Sequence, residues 1–361
     1  MSVGIWQWMR AQIMTTQQRG DLQENLPLLR KLDNLLIEHL DSFKDQNEFW
    51  YVARDANDLE KGNNAQRIDD KWWHPAVKID KIGLGYNTRK WLHFQKDNVN
   101  TIRRAASAIN VQVLSKMEIP EVYIETLPKK GRASLGDAVY KSITLENFDA
   151  QQLLSTLDLT TDQKILDLKN RIEASSVIWK RKMHNKDGKS SWAGVSPEKR
   201  EQFEFRAETI LANIRQKYPG INQSLLDTSK IKHNQDIGKS VLESYSRVLE
   251  TAAYTVVSLI ENVLFAHDVT QDPTLINSKR KPVLFDTTDP IKVLTHEEEI
   301  HKLNTMEIPI STTLSEYTEY QLYKQDPEAL AIKPLRISTK KISHIEKLEN
   351  SRVLRSPSGK Y

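Results

Sequence analysis

The chain has 361 residues, of which 39% are hydrophobic and 28% are charged. This composition is typical of a folded protein and excludes a wholly disordered chain. A net charge of +4 at pH 7 is too small to indicate nucleic-acid binding by itself. The absence of cysteine excludes disulfides, thiol catalysis and thiolate metal sites. No apolar run approaches the ~18–20 residues of a membrane span, so we expect a cytoplasmic protein without an integral membrane segment.

Three zones follow one another along the chain. Residues 1–16 form a leader that contains two tryptophans and several methionines, and residues 17–267 are dense in apolar residues. Residues 268–361 contain seven of the 13 prolines and none of the eight tryptophans. Because frequent prolines break helices and a large core needs bulky apolar residues, we predict a disordered regulatory tail over 268–361.

The middle zone is predicted to be helical, since its apolar residues recur every three or four positions. Ser196, Pro197 and Glu198 open one helix with a capping hydroxyl, a first-position proline and an early acid. Pro219 and Gly220 end that helix. The helical stripes run over 26–43, 99–117, 165–183, 203–218 and 237–264.

One region between the first two stripes has a different pattern. Phe49–Val52 and Trp72–Val77 are aromatic and β-branched, and residues 57–70 between them are polar. This pattern predicts two short strands joined by a mobile loop. The fold class predicted from the residues is therefore all-α with a small β-hairpin.

The motifs that would indicate catalysis are incomplete. Gly131 and Gly136 have the spacing of a phosphate-binding loop, but Asp137 stands where a lysine should be. His296 and His301 are five residues apart, whereas a zinc-binding helix needs a spacing of four. We therefore expect no metal, no cofactor and no covalent catalysis.

Two features of the sequence could contribute to a binding site for a partner. The basic run from Lys180 to Lys189 could complement a helix dipole, bind a partner protein or, least favoured, contact nucleic acid. Trp192 lies in a polar segment, where its ring could be tucked into the core or could anchor an interface. Composition and spacing leave these alternatives open.

Several long strings resemble the PRONE domain of plant guanine nucleotide exchange factors for Rho-of-plants (Rop) GTPases. They include Leu127–Asp137, Leu166–Ala174, Val177–Lys182, Ala207–Leu211 and Val241–Leu249. Together with shorter matches near the hairpin, the resemblance runs from about residue 15 to residue 267. The family's domain also has a further N-terminal stretch, so we expect this chain to start inside the domain.

The resemblance implies a helical, dimeric exchange factor of two subdomains with a protruding β-arm and no cofactor of its own. The arm would include Trp50, Trp72 and Trp73. The family's tryptophan loop approaches the switch regions of the GTPase. The residues carried over to that GTPase-binding site are Trp192, Ser191, Lys189, Lys186 and, packing the base of the loop, Trp179.

The resemblance also implies partners and regulation. A Rop/Rac-type GTPase is the expected partner, receptor-like kinases are possible further ones, and recruitment to the plasma membrane would follow. In the tail, Ser356 lies between basic residues and Pro357 and is the phosphorylation candidate. The alternative function is an exchange-deficient, truncated adaptor that binds the GTPase or the kinases.

Overall fold

The computed structural model describes residues 19–52, 76–184, 197–276 and 312–325. In these ranges the chain is mainly α-helical, and its strands form a two-stranded antiparallel hairpin. The predicted fold class is confirmed. In chain order the elements are α1 Gly20–Asp41, β1 Phe49–Val52, β2 Ala76–Ile79, α2 Tyr86–Ser115, α3 Glu121–Glu125, α4 Gly131–Leu135, α5 Asp137–Thr144, α6 Ala150–Thr156, α7 Asp162–His184, α8 Pro197–Lys217, α9 Leu225–His233, α10 Ile237–Gln271, a 3₁₀ turn Pro273–Ile276 and α11 Leu314–Gln325.

Helices α1, α2 and α10 form the long-helix group. The 30-residue α2 and the 35-residue α10 pack against each other, and α1 packs on both. Trp91 and Leu92 of α2 are fully buried. The Trp91 indole donates to the backbone carbonyl of Thr312 at 2.8 Å, and the amide of Gln95 donates to the same oxygen at 2.9 Å. A segment from the predicted tail therefore contacts the helical core.

The hairpin packs against α10. Phe49 pairs with Ile79 and Val52 pairs with Ala76, and the Tyr51 hydroxyl donates to the Leu259 carbonyl at 3.1 Å. The first strand is confirmed as predicted. The second begins at residue 76 and ends at 79, so its predicted range of 72–77 was wrong at its end, and residues 72–75 lie outside the described ranges. The apolar composition predicted that a strand forms here. Its last residue is set by the pairing with β1.

Helices α4 to α8 form the α7–α8 group. The short helix α4 packs on α7, and α5 and α6 pack on α8. The core they share is apolar and includes Leu135, Val139, Ile143, Leu153, Leu154, Ile165, Leu168, Ile172, Trp179, Phe203, Ala207, Ile210 and Ile214. Helix α9 contacts both α2 and α7.

All five predicted helical stripes lie on helices in the structure. Helices α1 and α2 start earlier than their stripes and end two residues before them, and α10 ends later than its stripe. The sequence did not predict α3, α4, α5, α6 or α9, which have five to nine residues each. Inside the predicted tail, the structure describes the end of α10, the 3₁₀ turn and the helix Leu314–Gln325. By compactness the chain divides into residues 1–314 and 315–361.

By length and composition alone, α10 could also cross a membrane, and in the part of the chain that the structure describes it is the single helix of that kind. The core helix of a soluble protein passes the same test. In the structure, α10 packs along α2 and buries the polar side chains of Glu243, Ser246 and His267. We therefore describe it as a core helix of this fold.

Candidate functional site

Residues 185–196 connect the end of α7 to the start of α8 and contain four predicted contact residues. Trp192, Ser191, Lys189 and Lys186 all lie outside the described ranges. The structure does describe the two helices from which this segment starts and to which it returns. We call the residues that pack between these two helices and α4 the loop frame: Trp179 and Lys180 on α7, Phe203 and Glu204 on α8, and Gly131 on α4.

Trp179 is the apolar centre of the loop frame. Its side chain is only 4% exposed, and its ring centroid lies 6.0 Å from that of Phe203 at an interplanar angle of 41°. A ring buried to this extent offers almost no surface to a partner. Trp179 therefore packs between α7, α8 and α4, and in this structure its ring is not available for direct contact with a GTPase.

Gly131 allows the close approach of α4 to Trp179. A Cβ atom at position 131 would lie 2.3 Å from Nε1 of Trp179, which is closer than real Cβ contacts come. Gly136 has a different requirement, because its φ of +82° is in the left-handed region. A Cβ there would also lie 2.2 Å from Nη2 of Arg171. The two glycines that resemble a phosphate loop are therefore packing positions against α7.

Lys180 links the outer faces of α7 and α8. Its ammonium group lies 2.6 Å from a carboxylate oxygen of Glu204 and 3.5 Å from one of Glu208. Lys180 is about half exposed, so each exposed pair contributes at most about 1 kcal/mol. One cation of the predicted basic run is thus used within the chain.

Arg206 on α8 holds the end of α5. Its guanidinium group is buried and donates to the backbone carbonyls of Ile143 at 2.7 Å, Leu145 at 2.5 Å and Glu146 at 3.2 Å. It also lies 5.2 Å from the ring centroid of Phe148. The last carbonyls of a helix have no partner within the helix. Arg206 therefore supplies the C-terminal cap that the sequence of α5 lacks.

A buried charged cluster joins the middle of α7 to α9. The ammonium group of Lys169 lies 3.0 Å from Asp227 and 3.9 Å from Glu173. Burial, and then the nearby carboxylate of Asp227, raise the pKa of Glu173 to about 7. Burial lowers the pKa of Lys230, whose ammonium group donates to the Leu114 carbonyl at 2.8 Å. The contacts of α7 with α9 and of Lys230 with α2 connect the two helix groups.

The described residues contain no group of three or more His, Cys, Asp or Glu side chains placed to hold a metal. A cavity of about 360 Å³ lies beside α7. Its acids are paired with its bases, since Asp158 contacts Lys164, and Asp167 lies 3.6 Å from Arg171. Nothing in this cavity combines a nucleophile with a general base.

The predicted arm is described in part. Trp50 is on β1 with its side chain 43% exposed, and the ammonium group of Lys78 lies 5.6 Å from its ring centroid. Trp72 and Trp73 lie outside the described ranges, and so does the phosphorylation candidate Ser356. Their roles stay predictions.

The residues that pack the ends of α7 and α8 together were not predicted from the sequence. Gly131 was considered as a phosphate-loop glycine, although its neighbour in space is an indole. Arg206 and Glu204 had no signal in the sequence beyond their places on a predicted helix.

The family model that matches this chain is described as "PRONE (Plant-specific Rop nucleotide exchanger)", and the match covers residues 7–272. The chain is 50% identical over 357 residues to the Rho guanine nucleotide exchange factor 8 of Arabidopsis thaliana, covering 97% of this chain and 67% of that protein. It is 49% identical over 363 residues to Rop guanine nucleotide exchange factor 9 of the same plant, covering 97% and 68%. With Rop guanine nucleotide exchange factor 11 it shares 58% identity over 264 residues, or 73% and 48%.

Proposed function

Because this chain belongs to the PRONE family, we propose that it is a guanine nucleotide exchange factor that stimulates GDP release from a plant Rho-type (Rop) GTPase. The observation that carries the proposal is the family match over residues 7–272, together with about 50% identity to exchange factors along nearly the whole chain. The action is non-covalent.

We further propose that the segment 185–196 contacts the switch regions of the GTPase, with Trp192 as the anchor and Ser191, Lys189 and Lys186 around it. Two features of the described residues support this role. Trp179 packs against Phe203 and Gly131, and Lys180 pairs with Glu204, so the two helices that flank the segment contact each other. A binding segment with firmly held ends loses less conformational freedom when it docks.

The exchange itself follows from linkage. A GTPase that binds its nucleotide with nanomolar to picomolar affinity holds it with ~12–16 kcal/mol. A protein that prefers the nucleotide-free conformation weakens nucleotide binding by the same factor by which nucleotide weakens its own binding. An aromatic ring inserted at the switch regions would favour a conformation in which they no longer complete the Mg²⁺–phosphate site. The metal and the nucleotide belong to the GTPase in this scheme.

The test follows the release of fluorescent GDP from a Rop GTPase in the presence of the full chain. We expect the intact chain to accelerate release. Trp192→Ala should lower the acceleration by about 30-fold, which corresponds to the ~2 kcal/mol of a hot-spot residue. The matched control is Tyr86→Ala, which removes an aromatic ring that is 61% exposed on α2 and should leave release unchanged.

Three results would count against parts of the proposal. If the chain binds the GTPase without accelerating release, it is the exchange-deficient adaptor, and binding of receptor-like kinase tails becomes the next measurement. If release is accelerated equally by Trp192→Ala, Trp192 is not the anchor. If the GTPase neither binds nor loses GDP, the proposal is wrong. Solution mass measured with and without the GTPase would test the predicted homodimer.

A further inference from the structure

An uncovered groove runs along the first half of α10. It has a volume of about 640 Å³ and is lined by uncharged side chains only, namely Asn234, Gln235, Ile237, Ser240, Val241, Ser244, Tyr245 and Val248. Three of its apolar side chains are well exposed: Ile237 by 80%, Val241 by 47% and Val248 by 57%. Apolar residues at this helical spacing on a long, otherwise packed helix indicate a surface that something covers.

The apolar surface continues onto α1, which runs parallel to α10. Arg19 contacts Asp236 at the start of the two helices, and the Tyr245 hydroxyl donates to Asp33 at 2.9 Å further along. Ile37 and Leu40, one and two turns after Asp33, are 50% and 47% exposed. The groove therefore lies on α10, and α1 beside it carries further exposed apolar side chains.

Arg19, the first residue that the structure describes, lies beside the start of this groove. Arg19 immediately precedes α1, and its guanidinium group hydrogen-bonds the carboxylate of Asp236, the N-cap of α10. It is also within 3 Å of the Cβ position of Gly238. The charged hydrogen bonds to Asp21 and Asp236 raise the pKa of Arg19 further above its usual range. The eighteen residues before Arg19 therefore enter the structure beside Ile237.

The composition of residues 1–18 is complementary to the lining of the groove. Ile5, Met9 and Ile13 are spaced four apart, and Trp6 lies beside them, so that a helix would place all four on one face. Arg10 is the single charged side chain among residues 1–18. An apolar stripe with so little charge fits a groove that has no charged lining.

The lengths also agree. From Ile237 to Val248 a helix rises about 17 Å, and residues 3–14 as a helix would rise about 17 Å as well. Residues 15–18 are then left as a link. Four residues are enough to reverse the chain between two antiparallel helices.

We propose that residues 3–14 of this chain dock as a helix in the α10 groove, antiparallel to α1 and α10, so that Ile13 lies near Val241 and Ile5 lies near Val248. The occupant is the chain's own leader, not a second copy. Its helix is stabilised by this packing, which is why a short segment without a capping signal can form it. The inference does not depend on the proposed exchange activity.

Cysteine cross-linking of the full chain tests this arrangement cleanly, because the natural sequence contains no cysteine. The test pair is Ile13→Cys with Val241→Cys, followed under mild oxidation by mass and by gel mobility without reductant. The matched control is Ile13→Cys with Thr255→Cys, since Thr255 is exposed on the same helix and lies about 21 Å further along it. We expect an intramolecular disulfide to form at least tenfold faster in the test pair.

A second pair checks the direction of the leader. Ile5→Cys should cross-link to Val248→Cys and not to Ile237→Cys. All the α10 positions are surface-exposed, so the variants should fold, and far-ultraviolet circular dichroism verifies this. Equal rates for test and control pairs would overturn the proposal. Disulfide-linked dimers from the test pair would overturn it too, because they would assign the groove to a second copy.

A second test of the docking needs no cysteine substitutions. Amide hydrogen exchange of residues 3–14 is expected to be slowed in the wild type and at least tenfold faster in Val248→Glu, which puts a charge in the groove. The control Val122→Glu changes an equally exposed valine on α3 and should leave that exchange as in the wild type. Unprotected amides over residues 3–14 in the wild type would contradict the docking.

Discussion

The long-helix group and the α7–α8 group hold their elements together in different ways. In the first, α2 and α10 contact each other along much of their length, and apolar stripes supply the contact. In the second, the short helices depend on side chains from longer ones: Arg206 caps α5, and Arg171 donates to the carbonyls of Ser134 and Leu135 at the end of α4. Helices of five to eight residues are unstable alone. Their geometry is therefore set by the tertiary structure.

The largest expected effect is that of Trp179→Ala in the α7–α8 group. Removing a buried tryptophan should lower the free energy of unfolding by about 3–5 kcal/mol. Urea denaturation followed by circular dichroism measures it. Trp50→Ala is the control, because that tryptophan is 43% exposed and should cost less than about 1 kcal/mol. A loss below about 1 kcal/mol at position 179 would mean that the ring is not part of the core.

Arg206→Met tests whether α5 depends on its tertiary cap. The substitution leaves three backbone carbonyls without their donor, so we expect a loss of about 2–4 kcal/mol in unfolding free energy. Hydrogen exchange should become faster first in residues 137–148. The exposed pair of Arg132 with Asp137 gives the control Arg132→Met, which should cost less than about 1 kcal/mol. Similar losses for the two variants would remove the distinction between the groups.

Gly131→Ala tests the close approach of α4 to Trp179. A methyl group 2.3 Å from the indole nitrogen forces a shift that should cost about 1–3 kcal/mol in unfolding free energy. Gly20→Ala is the matched control, because a Cβ there meets nothing within 4 Å. Combining Gly131→Ala with Trp179→Phe should recover part of the loss, since the smaller ring leaves room. Strict additivity in this double-mutant cycle would show that the two residues do not clash.

Glu173→Gln has the smallest expected effect and depends on pH. The pKa of Glu173 is raised to about 7 in the folded protein, so the folded state binds its proton more tightly than the unfolded state. That contribution is complete below the unfolded pKa and is lost as the pH rises through 7. The glutamine variant should therefore gain stability relative to the wild type between pH 5 and pH 8, by on the order of 1–2 kcal/mol.

Urea midpoints across that pH range measure this difference. Glu118→Gln changes an exposed glutamate and should follow the wild-type curve. A constant difference between Glu173→Gln and the wild type at every pH would mean that Glu173 stays ionised in the fold.

The residue pattern predicted the long helices, because the spacing of apolar residues within each of them defines the face that packs. The stripes over 26–43 and 99–117 lie on helices, because a helix places the apolar residues of each stripe on one face, and that face is buried by packing. It also marked β1 and the start of α8 at Pro197. Helices of five to nine residues are too short for periodicity to stand out, so α3 to α6 and α9 were missed.

The candidate site could be predicted only in part. The resemblance to a family singled out Trp192 and its neighbours, whereas the residues themselves left core and interface as alternatives. Nothing local indicated that Gly131 faces Trp179 or that Lys180 pairs with Glu204, because these partners are 48 and 24 residues apart in the chain. Such contacts depend on how the helices pack.

The amino-acid order alone determined the helical class, the long stripes, the hairpin's first strand and the family, because each is encoded over consecutive residues. The tertiary structure alone decided where the short helices end, which glycine must stay small and which buried carboxyl groups have a raised pKa. The reason is that capping, steric clearance and burial are properties of atoms brought together from distant parts of the chain, and their energies exist only once the helices have packed.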